Sequence, residues 1–152
     1  MYEVLIYLFE NYFEADIRPD QHTLTRELYA AGFDDTDIKD AYDWFGVFDQ
    51  RTRQASASMR GSSQGLRVHT AAEIKKLGSD SLGFLMLQEQ IGALDPAQRE
   101  LVIDCAMLLS TQQVQTAAVR QIMHMALLAQ NRSYSQPLAE GALLQQANTT
   151  LH

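Results

Sequence analysis

The run DQHTLTRELYAAGFDDTDIKDAYDWF, residues 20–45, holds two helices and the turn between them, and it sets the fold class of the chain. Asp20 is a residue type that accepts a bond from a free amide at a helix start. Leu24 and Leu28 follow one turn apart on one side of the helix it opens, which is expected to run through about Ala31. Gly32 suits the left-handed position just past a helix end, and Phe33 beside it can pack back on the last turn. Asp34 or Asp35 then starts a second helix whose inner face carries Ile38, Ala41, Tyr42 and Phe45, with Trp44 beside it. Acids at 34, 35 and 37 favour the positive end of its dipole.

Working back from this pair, Val4, Leu5, Leu8, Phe9 and Tyr12 recur at helical spacing, while Ile6, Tyr7 and Phe13 make the segment apolar almost all round. Tyr2 to Glu14 is therefore expected to be a largely buried helix. Working forward, Gln50 to Gly65 has no period of helix or strand and reads as a loop or linker. Leu66 to His69 alternates like one short strand. Thr70 and Glu73 match a capping box that opens a helix to Leu77, and Gly78 with Ser79 breaks the chain again. Three helical patterns follow. Ser81 to Ile91 presents Phe84, Leu87 and Ile91. Asp95 and Pro96 open a helix with Leu101, Val102, Cys105, Leu108 and Leu109 inward. Val119, Ile122, Met123, Ala126 and Leu127 form the stripe of the third, and Pro137 starts a last helix through Leu143 and Leu144. The expectation is a mainly α protein with at most a short β-hairpin. An N-terminal helix-turn-helix-like part, winged in its order of elements, covers residues 1–70, with the basic loop at 50–65. A C-terminal helical part covers 71–152.

The charges are sorted along this plan. Residues 1–49 hold twelve Asp or Glu against three Lys or Arg, a net of −9, and residues 50–79 hold six basic residues against Glu73 alone, a net of +5. Such sorting points to a partner-facing surface or to docking between the chain's own parts, because an evenly solvated domain has no electrostatic reason to segregate its signs. The total of −7 argues against duplex binding by the whole surface. At 152 residues and 46% hydrophobic the chain is globular. No apolar run reaches the roughly 20 residues of a membrane span. Glu3 and Glu10 interrupt the apolar start, so no secretory leader is expected. The single cysteine permits no internal disulfide and fits a cytoplasmic location.

Catalytic chemistry finds little to build on. Cys105 lies one turn from Leu101 and from Leu109 on an apolar stripe, where a thiol behaves as a small hydrophobe. His22, His69, His124 and His152 are scattered, and no metal-binding spacing occurs. Gly61 to Gly65 lacks the ending of a phosphate loop. Paired acids such as Asp34 with Asp35 read as capping and solvation. No enzyme activity, catalytic residue, metal or cofactor is therefore expected. Helix, turn, helix and Arg-rich loop is also the order of a winged DNA-binding module. The would-be recognition helix, however, carries Asp35, Asp37, Asp40, Asp43 and Asp49 against Lys39 alone, which would repel DNA. Two functions are left. The first is a non-enzymatic module that binds another protein through Asp35, Asp37, Asp40 and Asp43. The alternative is a nucleic-acid or ribosome-associated factor that uses Arg51, Arg53, Arg60, Arg67, Lys75 and Lys76.

Several of these residues resemble a known pattern. Met1, Tyr2, Val4, Leu5, Tyr7, Leu8, Phe9, Glu10 and Tyr12, with Ala31-Gly32-Phe33, Ile38, Ala41 and Trp44, resemble the opening of the bacterial Smg family. Arg67, Thr70, Glu73 and Leu77 are similar to its middle motif. The resemblance continues through Gly83-Phe84-Leu85, Glu89-Gln90, Leu94-Asp95, Arg99, Glu100, Val102, Ile103 and the terminal Leu151-His152, and it departs from the pattern at 50–65 and 130–150. It implies a helical cytoplasmic protein of unknown biochemical function, without catalytic residues to carry over. Genes of that family often lie near those for DNA processing and for formylation of the initiator tRNA, a neighbourhood that implies DNA or translation without naming a partner.

Overall fold

The computed structural model describes residues 1–17, 19–57 and 68–132, with only the backbone at Ser56, Ala57 and Arg132. The chain is mainly α, built from α1 (Tyr2–Leu8), α2 (Gln21–Ala30), α3 (Asp35–Ala57), α4 (Ala71–Gln90), α5 (Pro96–Met107) and α6 (Thr116–Arg132). Among the described residues there is no strand. Two compact units are present, Met1–Gln50 with Asn131–His152, and Arg51–Gln130, so the division falls inside α3.

In the first unit, α1 continues into a π-helical turn over Phe9–Phe13. Its wider register is seen where the Glu14 amide bonds the Phe9 carbonyl at 2.8 Å. The rings of Phe9 and Phe13 stack there at 5.7 Å. Asp20 caps α2 by accepting from the Thr23 amide at 2.7 Å, and that bond holds its carboxyl below the usual carboxylate range. At the other end Gly32 has φ +99°. The Phe33 amide reaches back to the Leu28 carbonyl at 3.2 Å and the Gly32 amide to Tyr29 at 3.0 Å. These are the two bonds of a Schellman ending. Asp34 opens α3 by accepting from the Asp37 amide at 2.8 Å. Behind these caps Leu24 and Leu28 are buried together with Ile38, Ala41, Trp44, Phe45 and Phe48 of α3. Tyr42, expected inward, is half-buried, and its hydroxyl shares a 2.8 Å hydrogen bond with Thr25.

The expected loop from Gln50 is corrected at its beginning, because residues 50–57 are helical. The buried stripe of α3 runs on past Phe48 through Asp49 and Thr52, which are 3% and 0% exposed. Its last members are polar, so an apolar period could not reveal them. Arg60, Gly61 to Gly65, Leu66 and Arg67 lie outside the described residues, as does the expected helix from Pro137 through Leu143 and Leu144. Val68 and His69, read as part of a strand, are not in one.

In the second unit, α4 opens on a complete capping box, with the Glu73 amide bonded to Thr70 Oγ1 at 3.1 Å and the Thr70 amide to Glu73 Oε1 at 3.0 Å. Gly78 then takes φ +78°, ψ +166° and kinks α4 where the sequence predicts a break. A second box, Asp95 with Gln98, starts α5 with Pro96 in its first turn. Leu101, Val102, Ile103, Cys105 and Ala106 are all buried, so α5 is enclosed on most sides. Leu108 departs from the expected inner face, since α5 has ended at Met107 and the side chain is 43% exposed.

The second half of α4 is the larger correction. Ser81, Leu82 and Leu85 are its buried face, whereas Leu87 and Ile91 are 52% and 65% exposed and Phe84 is only half-buried. Ser81 Oγ settles the choice by bonding the Val114 carbonyl at 3.4 Å and sharing a 3.3 Å bond with Thr116. A polar residue that finds buried partners can face inward, and it turns the neighbouring leucines in with it.

Candidate functional site

The acidic residues of α3 separate into different roles. Asp37 is half-buried, and its Oδ1 takes an ion pair from the Met1 amine at 3.0 Å. It lies one turn from buried Ala41, at the edge of the core-facing side. Asp35 is exposed and accepts a hydrogen bond from the Tyr29 hydroxyl. Asp43 pairs with Lys39 one turn away at 3.5 Å, both largely exposed, a geometry worth a few tenths of a kcal/mol at most. Asp40 is engaged by no hydrogen bond or ion pair among the described residues. With spacings of three and four, Asp40 and Asp43 lie side by side and Asp35 lies in line with Lys39 and Asp43. The structure thus places Asp35 and Asp43 exposed on the outward side of α3, leaves Asp40 half-buried beside Asp43, and sets Asp37 apart through its ion pair with the Met1 amine.

The predicted basic set is also divided. Arg51 Nη1 pairs with Asp104 at 2.9 Å. Lys76 Nζ donates to the carbonyls of Met107 at 2.5 Å and Leu109 at 2.7 Å, the last turn of α5 and the residues after it. Arg53 is exposed but engaged in an interaction. Lys75 is exposed. Arg60 and Arg67 lie outside the described residues.

Cys105 is fully buried. Burial pushes its thiol up to about 12, with nearby Asp104 adding to the rise and Arg51 opposing it. A thiol held neutral this strongly is no nucleophile near pH 7. His124, one of the bases it would need, is exposed on α6. Between about pH 9, where the unfolded thiol ionises, and about 12, the unfolded chain has released a proton that the folded chain retains. The contribution of this thiol to stability is therefore whole below pH 9 and falls as pH rises through that window. Ellman's reagent at pH 8 is expected to leave the native protein unlabelled and to titrate one thiol in denaturant; labelling at the rate of a free thiol would show that the burial is wrong. Among the described residues no group of three or more His, Cys, Asp or Glu is placed to hold a metal ion. No described helix is long and apolar enough to cross a membrane.

The feature that sequence reading missed is the outward apolar face of α4. Its signal was present in two overlapping stripes, Leu82 with Leu85 and Phe84 with Leu87 and Ile91, of which only one can face inward.

Comparison with known proteins places the whole chain in one group. The family model described as "Protein of unknown function (DUF494)" matches residues 1–152. A Protein Smg homolog of Methylobacillus flagellatus is 45% identical over 152 residues, covering all of both chains. Another, from Nitrosomonas europaea, is 33% identical over 141 residues and 93% of each chain. A third, from Bordetella pertussis, is 32% identical over 152 residues and the full length of both. No solved structure matches the chain. The chain belongs to the DUF494 family, together with these Smg homologs.

Proposed function

We propose that this chain is a non-enzymatic interaction protein of the cytoplasm that binds another protein through the acidic helices of its first unit. The observation that carries the reading is the excess of acid along α3, where exposed Asp35 and Asp43 and half-buried Asp40 stand against Lys39 alone. Asp37 is withdrawn from the set because its charge is met by the Met1 amine. A like-signed, exposed helix face raises the rate of encounter with a basic partner and disfavours nucleic acid. Two of the cations that a nucleic-acid-binding reading needs, Arg51 and Lys76, are already bound to groups of the fold, which favours the acidic face over the basic segment.

The test is affinity purification after crosslinking, with nuclease added to half of each sample. A nuclease-resistant protein partner is expected. Asp40→Asn with Asp43→Asn is expected to lower its recovery roughly fivefold, as two surface charges of about 0.5 kcal/mol each would give. Equal recovery with the double variant, or loss of every partner on nuclease treatment, would refute the proposal.

A further inference from the structure

Three of the exposed large hydrophobic residues lie on α4, Ile74 before the Gly78 kink and Met86 and Leu87 after it, and a fourth, Ile91, is the residue that caps its C-terminal end; each is more than half exposed. Single exposed leucines are ordinary, but a concentration on one element marks a surface that another molecule covers. Past the kink the pattern is regular. Phe84, Leu87 and Ile91 stand at i, i+3 and i+7, an apolar stripe about 10 Å long on the side opposite Leu82 and Leu85. This is the spacing by which one amphipathic helix receives another.

Two further observations say what the occupant is. Gly83 is exposed within the helix beside this stripe, its φ is not positive, and a Cβ built there meets nothing within 4 Å. The fold itself therefore has no use for a glycine at a position where alanine would stabilise the helix. A glycine there lets a second backbone come close, as a packed helix does and a flat or disordered surface does not. One cation borders the stripe at Phe84. The Arg120 guanidinium lies over the Phe84 ring, 5.3 Å from its centroid. Arg120 is exposed, and no carboxylate among the described residues engages it. Helix α6, which supplies it, contains no Asp or Glu. Asp80, exposed one turn before Phe84, is not paired with Arg120. An exposed cation held over an aromatic ring and engaged by no carboxylate of the described residues is available to one from a partner.

We infer that the Gly83, Phe84, Leu87 and Ile91 face of α4 is the docking site for an amphipathic helix of another protein, which lays its apolar stripe over Leu87 and Ile91 and presents an Asp or Glu to Arg120. This site belongs to the second unit, and the acidic residues of α3 belong to the first. Recovery through α3 is scored by a different pair of substitutions, so either reading can fail alone.

The experiment uses the full chain with exposed Gln90 replaced by the photoreactive p-benzoylphenylalanine, crosslinked in cells of the bacterium that expresses it, with adducts mapped by mass spectrometry. The expected adduct is a helical segment of a different protein, with apolar residues at i, i+3 or i+4 and i+7 and an acid alongside. Arg120→Glu should reduce its yield roughly tenfold, since reversal replaces an attraction with a repulsion. Gly83→Ala should separate the two roles of that position. It should raise the Tm of the isolated protein by roughly 2 °C while lowering adduct yield, which no purely structural role of Gly83 would produce. Adducts with a second copy of this chain, adducts with lipid alone, no adduct, or a yield indifferent to Arg120→Glu and to Gly83→Ala would each overturn the inference.

Discussion

Phe48→Ala is expected to destabilise the protein by about 3–5 kcal/mol and to lower its thermal midpoint by on the order of 10 °C. Phe48 is completely buried in the first unit. Its ring stacks on Trp44 at 5.2 Å with the planes 13° apart. It also meets Phe45 edge-on at 6.2 Å and Phe13 edge-on at 6.3 Å. Truncation removes the buried ring surface and leaves a cavity walled by three aromatic rings. Those rings are fixed by α3 and by the π-helical turn of Phe9–Phe13, so the space cannot collapse without shifting backbone. Phe48→Leu keeps much of the volume and is expected to cost about 1–1.5 kcal/mol. Urea and thermal unfolding followed by far-ultraviolet circular dichroism measure both. A Phe48→Ala protein that melts within a degree or two of the parent would show that this cluster is not the core of the unit.

Lys76→Met is the second large effect, expected at about 2 kcal/mol although it removes a charged group that sequence reading assigned to a surface. The ammonium donates to the carbonyls of Met107 and Leu109 at 2.5 and 2.7 Å, while the Lys76 carbonyl accepts from the Val114 amide at 2.8 Å. The last carbonyls of a helix have no partners within it, and a cation there also meets the negative end of the dipole. Methionine preserves the aliphatic stem but leaves both part-buried carbonyls without their donor. Lys75→Met next door removes the same charge from an exposed site and is expected to change stability by less than about 0.5 kcal/mol. If the two substitutions behaved alike in denaturant titrations, the capping role of Lys76 would be refuted. The pair also guards the alternative function, because lost nucleic-acid binding in a Lys76 variant would have to be separated from lost folding.

Local features of the fold were legible in the residues themselves. Asp20, Gly32 with Phe33, Thr70 with Glu73, Gly78 and Asp95 act as expected because each works through bonds to residues no more than five positions away, or through its own backbone angles. Residue type and spacing are enough to identify such bonds. The candidate site was legible only in part. Asp35, Asp37, Asp40 and Asp43 are expected together on one exposed face, of which Asp35 and Asp43 are exposed, Asp40 is half-buried, and Asp37 is paired with the Met1 amine, 36 positions away.

The sequence by itself determined where α2, α4 and α5 start and where α2 stops, that the protein is mainly α, and that its acids gather at one end. Only the tertiary structure decided which of two apolar stripes of α4 turns inward, how far α3 continues past Gln50, and which cations are spent on the fold. Each of those outcomes depends on a group more than 25 positions away: Val114 for Ser81, Asp104 for Arg51, and Met107 and Leu109 for Lys76. A helix with apolar residues on two sides has no internal reason to prefer one. The preference comes from the polar bonds and the packing that the rest of the chain offers it, and the side left over faces outward for something else to cover.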